Sequence, residues 1–311
     1  MSADAFLQLA SGSLIYATNF ALVVGLAAVG ACVTERSGVL NLGHEGVMLL
    51  GAAAGFVAAY ASGNPWIGMA GGVAAGLALG ALKAFWSVVL KTEQVINGLL
   101  LVPIGFGLGN VLYNHQFAGA IDPPRVPSVP PLAIPGLEQI PLLGPVLFAR
   151  SPLAYAALAV IALVAWFLAR TRAGMTIRAA GDSPETLDFN GLAVDAYRFG
   201  AVLVGTALTG FAGALLAVDQ LHLFHPAMTA GRGWIAIAIV IVGGWSPWVC
   251  LAAALFFGIT DMIQFQVQIQ ASPVPYELLL SLPYLATVAV LAWWRSSSRA
   301  PATLGEPYRR Q

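Results

Sequence analysis

Long apolar runs, separated by short polar breaks, dominate the chain. A membrane-spanning helix needs about 20 mostly apolar residues. That criterion places candidate spans near residues 14–33, 46–62, 65–86, 94–113, 152–169, 199–219, 234–249, 250–267 and 277–294. The runs are continuous and rich in Ala, Leu and Gly, whereas the strands of a membrane barrel alternate apolar and polar residues. The pattern therefore predicts an all-α integral membrane protein, a polytopic helical bundle of about 8–10 transmembrane helices.

The composition agrees with a membrane protein. Apolar residues make up 59% of the chain and charged residues 9%, whereas soluble domains have roughly 45–50% and about 25%. The formal net charge of +0 gives no sign of an acidic or basic partner, and no nucleic-acid partner is expected. Both cysteines, Cys32 and Cys250, lie in apolar runs, which favours buried free thiols over a disulfide framework.

Basic residues predict which loops face the cytoplasm. With strict alternation of the spans, three regions that carry Lys and Arg fall on one side: the loop between Lys83 and Lys91, the loop 170–198 and the tail 295–311. We therefore expect a single transmembrane domain over residues 1–311, with these regions in the cytoplasm. The proline-rich segment 114–151 then lies outside, either as a stiff connector or as a lid or docking surface for an extracytoplasmic partner.

A short helix with both ends specified is predicted inside the loop 170–198. Ser183 can cap its amino end, with Pro184 in the first turn and Glu185 at the positive end of the helix dipole. Gly191 supplies a left-handed stop. A capped surface helix between two membrane spans is typical of a docking element for a soluble partner.

Two polar clusters lie at the edges of apolar runs. The first, residues 34–46, contains three glycines that would let the backbone unwind, which a membrane tolerates only where the backbone is buried or lines water. Its Asn41 and Glu45 are expected to serve a translocation pathway or the structural core. In the second cluster, Gln94 and Asn97 lie three residues apart and share one helix face. They either line a polar path or form hydrogen bonds between helices.

Two further polar segments lie at the start and at the end of the apolar run near 234–249. Arg232 is either a functional cation near the outer mouth or, with Trp234, an interfacial anchor whose charge reaches the membrane surface. The segment 243–247 is expected to be a turn on the cytoplasmic side.

Known catalytic patterns are missing from the sequence. His44-Glu45 could open a zinc-protease motif, but the position that would need a second His is Met48. The chain contains no Gly-x-Ser-x-Gly nucleophile elbow and no phosphate-binding loop for ATP. We therefore expect a protein that is not an enzyme and that needs no metal and no cofactor of its own.

The segment from Glu35 to Gly46 resembles the "ERSGVxNLGxEG" stretch of the branched-chain-amino-acid/ribose-type ABC importer permeases, and within them the nucleoside and simple-sugar branch. Three further stretches resemble the same branch in the same order: 92–98, 178–191 and 231–236. The sequence departs from the branch at His44, where an aliphatic residue is common, and after residue 98, where Leu-Leu-Leu-Val-Pro replaces a Met-Leu-Asn pattern.

The resemblance implies a permease subunit of an ABC importer in the bacterial cytoplasmic (inner) membrane. Such a subunit spans the lipid bilayer several times and forms the pathway for a small polar solute, here a nucleoside or a simple sugar. The implied partners are a cytoplasmic ATP-binding cassette ATPase, a second permease (homologous or identical) and an extracytoplasmic solute-binding protein. The polar helix at 183–190 then corresponds to the coupling helix, with Leu187 and Phe189 as apolar contacts in a groove of the ATPase.

Other functions stay open at this point. The nearest alternative is a permease for branched-chain amino acids, which should require a charged or helix-terminus site for the zwitterion. A stand-alone carrier and a membrane-embedded enzyme are further alternatives, and the missing catalytic motifs disfavour the enzyme.

Overall fold

The computed structural model describes residues 3–119, 122–133, 135–138, 140, 144–269, 281, 285, 288, 289 and 300–309. Its elements in chain order are α1 (Ala3–Arg36), α2 (His44–Ser62), α3 (Pro65–Ala84), α4 (Gln94–Phe117), β1 (Leu132–Ala133), β2 (Ala149–Arg150), α5 (Pro152–Arg170), α6 (Arg172–Asp182), α7 (Pro184–Phe189), α8 (Val194–Ala214), α9 (Arg232–Val242) and α10 (Pro247–Ile269). Single π turns extend α3 to Val89 and α8 to Gln220. Within these ranges, seven helices are long and apolar enough to cross a membrane, namely α1–α5, α8 and α10. The predicted all-α membrane fold is confirmed.

The span predicted near 234–249 is wrong. Helix α9 has 11 residues, or roughly 16 Å at 1.5 Å per residue, about half of a 30 Å hydrocarbon core. The apolar sequence continues past it, but Gly243 and Gly244 end the helix and Trp245 has a positive φ of 55°. Helix α10 then starts at Pro247. The candidate span near 277–294 lies largely outside the described residues.

Helix α8 is the central element of the bundle, and glycines let three other helices approach its backbone. A Cβ added to Gly205 would overlap the carbonyl oxygen of Gly30 on α1. Added methyl groups at Gly51 on α2 and Gly76 on α3 would overlap carbonyl oxygens of α8 in the same way. Small residues at helix interfaces allow such close packing in membranes. This packing fixes the positions of α1, α2 and α3 relative to one another.

The three basic regions lie at one end of the bundle, as the charge pattern predicts. The Lys91 ammonium is 3.5 Å from the Asp195 carboxylate, which joins the loop after α3 to the start of α8. The Arg198 guanidinium donates to the carbonyl of Glu306 at 2.7 Å, which joins α8 to the tail. Both cysteines are buried and free, as expected.

The proline-rich segment is tied to the opposite end of the bundle. Strands β1 and β2 pair antiparallel, with Leu132 opposite Arg150. The Arg150 guanidinium donates to Thr18 and Asn19 on α1. Arg150 is buried, and burial lowers the pKa of its guanidinium below the usual range. These bonds hold the hairpin against the first span.

We predict that Gly205→Ala lowers the midpoint of thermal unfolding in detergent, because the added methyl group forces α1 and α8 apart. Overpacking of this kind costs about 1–3 kcal/mol. The matched control is Gly200→Ala on the same helix, where a Cβ would meet no heavy atom within 4 Å. Since Ala favours helix by up to about 1 kcal/mol over Gly, the control should unfold at the same or a higher temperature. A Gly205→Ala protein as stable as the control would contradict the close contact.

Candidate functional site

Residues 37–43 run back into the bundle from the end that carries the basic regions. Helix α1 ends in a turn at Ser37 and Gly38, with φ of 88° at Gly38, and the chain then stays non-helical up to α2. The first residue of α2, His44, bonds Thr209 on α8 through its Nδ1 at 2.8 Å. Gly30 on α1 contacts Gly205 on α8, and this contact marks one level of the bundle. Counted along the helices at about 1.5 Å per residue, Arg36 lies about 9 Å from this level toward the end of α1, and Thr209 lies about 6 Å from it in the opposite direction. Helix α2 therefore begins roughly 15 Å inward from the end of α1, a distance about half that of a 30 Å hydrocarbon core.

Helix α9 begins at the same point. The backbone N–H groups of Gly231 and Gly233 donate to the two carboxylate oxygens of Glu45 at 3.0 and 2.7 Å. Gly231 precedes α9 with a left-handed φ of 82°, and Glu45 lies in the first turn of α2. One carboxylate thus sits at the positive ends of two helix dipoles. Its side chain is 4% exposed, so these bonds form away from bulk water.

The hydrogen bonds of His44 assign its tautomer. The Thr209 hydroxyl donates its proton to the carbonyl of Gly205 at 3.0 Å, so it accepts from His44. In a neutral imidazole the proton is then on Nδ1, and Nε2 keeps a free lone pair. Nε2 is buried and has no hydrogen-bond partner among the described residues. The residue that departs from the resembled branch thus joins α2 to α8.

Of the predicted pathway residues, Asn41 lies within the segment 37–43, Gln94 bonds it, and Asn97 is next to Gly98, which lies against Leu42. Gln94 on α4 accepts from the backbone N–H of Leu40 at 2.7 Å, and Asn41 accepts from Gly43 at 2.9 Å. Asn97 donates to Thr92 at 2.8 Å. With Glu45, all four side chains are buried and bond their own chain. The structure therefore brings Gln94 to the segment that contains Asn41 and is followed by Glu45, whereas Asn97 bonds Thr92 before α4. The role of all four residues in a pathway stays a prediction.

Lys83 on α3 bonds the start of α4 at Gln94. The Lys83 ammonium is fully buried and donates to the carbonyl of Gln94 at 2.6 Å. The next residue toward the amino end, Glu93, caps α4 by accepting from Val95 and Ile96 at 3.1 and 2.6 Å. These bonds lower the pKa of the Glu93 carboxyl. The cap is therefore complete above the ordinary pKa range of Glu and is lost as the pH falls through the lowered value.

The turn after α9 is an anchor rather than a plain loop. The Trp245 indole N–H donates to the Glu35 carboxylate at 2.6 Å. The Trp245 carbonyl accepts from Arg36 at 2.9 Å. The end of α1 is thereby joined to the end of α9. The sequence offered only the positions of Gly243 and Gly244 as a turn signal, and nothing in it pairs Trp245 with Glu35.

Helix α7 (Pro184–Phe189) lies at the end of the bundle that carries the basic regions, at the position where the polar helix was predicted. Gly191 has φ of 75°, and its N–H donates to Asp188 at 2.9 Å, so the predicted left-handed stop is confirmed. The predicted side-chain cap is wrong, since the Ser183 hydroxyl makes no capping bond. Ser183 also closes α6, where its N–H donates to Ala179 at 2.8 Å. Its backbone (φ −153°, ψ 69°) serves both helices, and α7 starts with Pro184 instead.

The two apolar residues of α7 differ in their surroundings. Leu187 is 6% exposed and packs with Ala180 and Val194. Phe189 is 91% exposed. Exposed aromatic side chains are frequent anchors of protein interfaces. Phe189 is therefore the residue of α7 that is free to contact a partner, with Glu185 exposed on the same helix, whereas Leu187 holds α7 against α6 and α8.

The chain is similar to known transport proteins over nearly its whole length. A family model described as "Branched-chain amino acid transport system / permease component" matches residues 13–291. A putative glucose ABC transporter permease of Haloferax volcanii is 35% identical, over 98% of this chain and 99% of that protein. A nucleoside ABC transporter permease of Lactococcus lactis is 30% identical over 95% and 94%. A guanosine ABC transporter permease of Bacillus subtilis is 29% identical over 95% and 94%.

We predict that Glu45 variants lose stability because they leave the first N–H groups of α9 unpaired. Glu45→Gln places an amide donor against a backbone donor, and each buried unpaired group costs about 1–3 kcal/mol. Glu45→Ala removes both acceptors and should cost more. Thermal unfolding in detergent measures the loss. Glu138→Gln, on the exposed outer segment, is the control for charge removal. An unchanged midpoint for Glu45→Ala would disprove the helix-joining role.

Proposed function

Since the chain belongs to the branched-chain amino acid transport system permease family, we propose that it forms the pathway for a nucleoside or simple sugar in an ABC importer. The protein is a multi-pass protein of the cytoplasmic membrane and a transport component rather than an enzyme. Permeases of this family work with a cytoplasmic ATPase and a binding protein. In the proposed assembly, the outer segment 114–151 faces the binding protein, and the loop 170–198 and the tail 295–311 face the cytoplasm.

The position of the Glu45 carboxylate at two helix N-termini is the observation that favours a neutral solute. A zwitterionic amino acid needs a cation or a free helix N-terminus for its carboxylate. The N-termini of α2 and α9 meet at the midplane, but the Glu45 carboxylate already fills that position. A neutral, hydroxylated solute needs no such site. The names of the relatives, which are glucose, nucleoside and guanosine permeases, support the same class. A permease for branched-chain amino acids is the second candidate.

The proposed pathway runs between this chain and a second permease, either identical or homologous. Its proposed lining residues are Asn41, Glu45, Gln94 and Asn97. Gln94 and Asn41 bond the non-helical segment 37–43, Glu45 bonds the start of α9, and Asn97 bonds Thr92 just before α4. Non-helical backbone at membrane depth is stable only when protein or water covers it. Broken helices that meet near the midplane are the usual place of solute sites in transporters.

The proposed contact with the ATPase is α7, residues Pro184–Phe189. Ser183 and Gly191 bound it, Glu185 and Phe189 are exposed, and Leu187 fixes it to α6 and α8. When ATP binding draws the two ATPases together, a rigid helix seated on them transmits the movement to the spans. In this arrangement Phe189 enters the ATPase groove. Leu187 makes no contact with the ATPase and instead holds α7 against α6 and α8.

We predict that Phe189→Ser lowers ATP-driven uptake at least tenfold, because loss of a buried aromatic anchor costs about 2 kcal/mol or more at an interface. Thermal stability of the isolated permease should not change, since the side chain is exposed. Uptake into proteoliposomes and copurification of the ATPase measure the effect. Leu132→Ser removes an equally apolar exposed side chain from the outer segment and should keep the ATPase bound. Normal uptake by Phe189→Ser would refute the contact.

For the solute, we predict ATP-dependent uptake of a nucleoside or hexose by the reconstituted permease, ATPase and binding protein. Excess unlabelled solute of the same class should abolish uptake of the label, and leucine should leave it unchanged, because the Glu45 carboxylate already occupies the helix N-termini that could receive the carboxylate of leucine. A ligand screen of the binding protein selects the label. Competition by leucine would favour the second candidate, and uptake without ATP would indicate a stand-alone carrier.

A further inference from the structure

We propose that residues 301–308 of the tail form a strap that sets the orientation of α7 relative to the membrane spans. This inference rests on the proposed role of α7 as the ATPase contact. Helix α7 has six residues, far fewer than the roughly 12–15 that an isolated helix needs for marginal stability. Its orientation therefore depends on the elements packed against it, and the tail is one of them.

One end of the strap is bound to the turn after α1 and to α6. The Thr303 backbone N–H donates to the carbonyl of Gly181 at 2.9 Å, and its hydroxyl donates to the same oxygen at 2.8 Å. The Gly305 N–H donates to the carbonyl of Gly38 at 3.0 Å. The tail thus crosses the point where the chain turns back into the membrane.

Arg198 holds the strap to α8. Its guanidinium is almost fully buried and donates to the carbonyl of Glu306 at 2.7 Å, the hydroxyl of Thr303 at 2.9 Å and the carbonyl of Ala180 at 3.0 Å. A buried cation is costly unless it is hydrogen-bonded, and two of these acceptors belong to the tail. Removal of the tail would leave the charge with one acceptor, so Arg198 and the strap depend on each other.

The other end of the strap reaches α7. The Tyr308 hydroxyl donates to the Asp188 carboxylate at 3.0 Å, one residue before the exposed Phe189. The Tyr308 ring packs against the cluster of Ala180, Leu187 and Val194 that supports α7. A displacement of α7 therefore pulls on a segment fixed at Gly38, where the non-helical stretch toward Glu45 begins. The strap adds a second connection between the ATPase contact and the midplane.

The test uses the full importer, reconstituted with its ATPase and binding protein. The readout is the number of solute molecules taken up per ATP hydrolysed, which a purely structural role would not change. We expect Tyr308→Phe to lower this ratio about threefold or more, and a chain ending at residue 299 to lower it further. Asp188→Asn keeps an acceptor oxygen and should retain the wild-type ratio, whereas Asp188→Ala should match Tyr308→Phe. Tyr155→Phe, which removes a hydroxyl bonded on the outer side, is the control.

The outcomes separate the strap from the coupling role of α7. If Phe189→Ser abolishes uptake while Tyr308→Phe keeps the wild-type ratio, the strap proposal is overturned and the coupling role stands. If Phe189→Ser is also harmless, both fail. A Tyr308→Phe protein with a lower unfolding temperature and an unchanged ratio would reduce the strap to a stabilising contact. Should the shortened chain fail to fold, Tyr308→Phe and the two Asp188 variants decide the question.

Discussion

The two hydrogen bonds between the Glu45 carboxylate and the start of α9 are the constraint on which the centre of this permease depends. Helix α9 is too short to cross the bilayer, so its free N–H groups lie where lipid offers no acceptor. Glu45 supplies the acceptor from the first turn of α2, and the same charge is stabilised by both helix dipoles. The non-helical segment 37–43, which leads to Glu45, and the short helix α9 therefore stabilise each other.

Glycine packing makes this arrangement possible. Because α8 presents Gly205 and Gly210 to its neighbours, α1 and α2 approach its backbone closely enough for His44 to reach Thr209. Bulkier residues would move these helices outward and separate the polar groups at the midplane. The glycine packing and the buried polar groups therefore depend on each other, because close backbone contact fixes the positions of His44 and Thr209. The two ends of the bundle are fixed separately, by Trp245 at one end and Arg150 at the other.

Sequence reasoning found the features that depend on local pattern. Seven of the nine predicted spans coincide with long helices among the described residues, the basic regions group at one end of the bundle, and Gly191 ends α7. It failed where distant residues decide the outcome. Hydropathy cannot distinguish a half-length helix from a full span when apolar residues continue through the turn, as they do at Trp245. The missing cap at Ser183 depends on α6 ending at the same residue. The buried state of Arg198 depends on a tail more than 100 residues away.

The way Arg198 binds the tail has a consequence for the evolution of this family. Its Glu306 acceptor is a main-chain carbonyl of the tail, and the Gly305 contact with Gly38 is also between main-chain atoms, whereas Thr303 and Tyr308 bond through their side-chain hydroxyls. Main-chain groups are present whatever the side chain, so substitutions at most tail positions leave these bonds intact. A tail can therefore diverge at its other positions while it keeps its shape, provided that hydroxyl side chains stay at 303 and 308 and a residue tolerant of a positive φ stays at 305. Sequence alignments of related permeases would then under-represent the tail as a functional element.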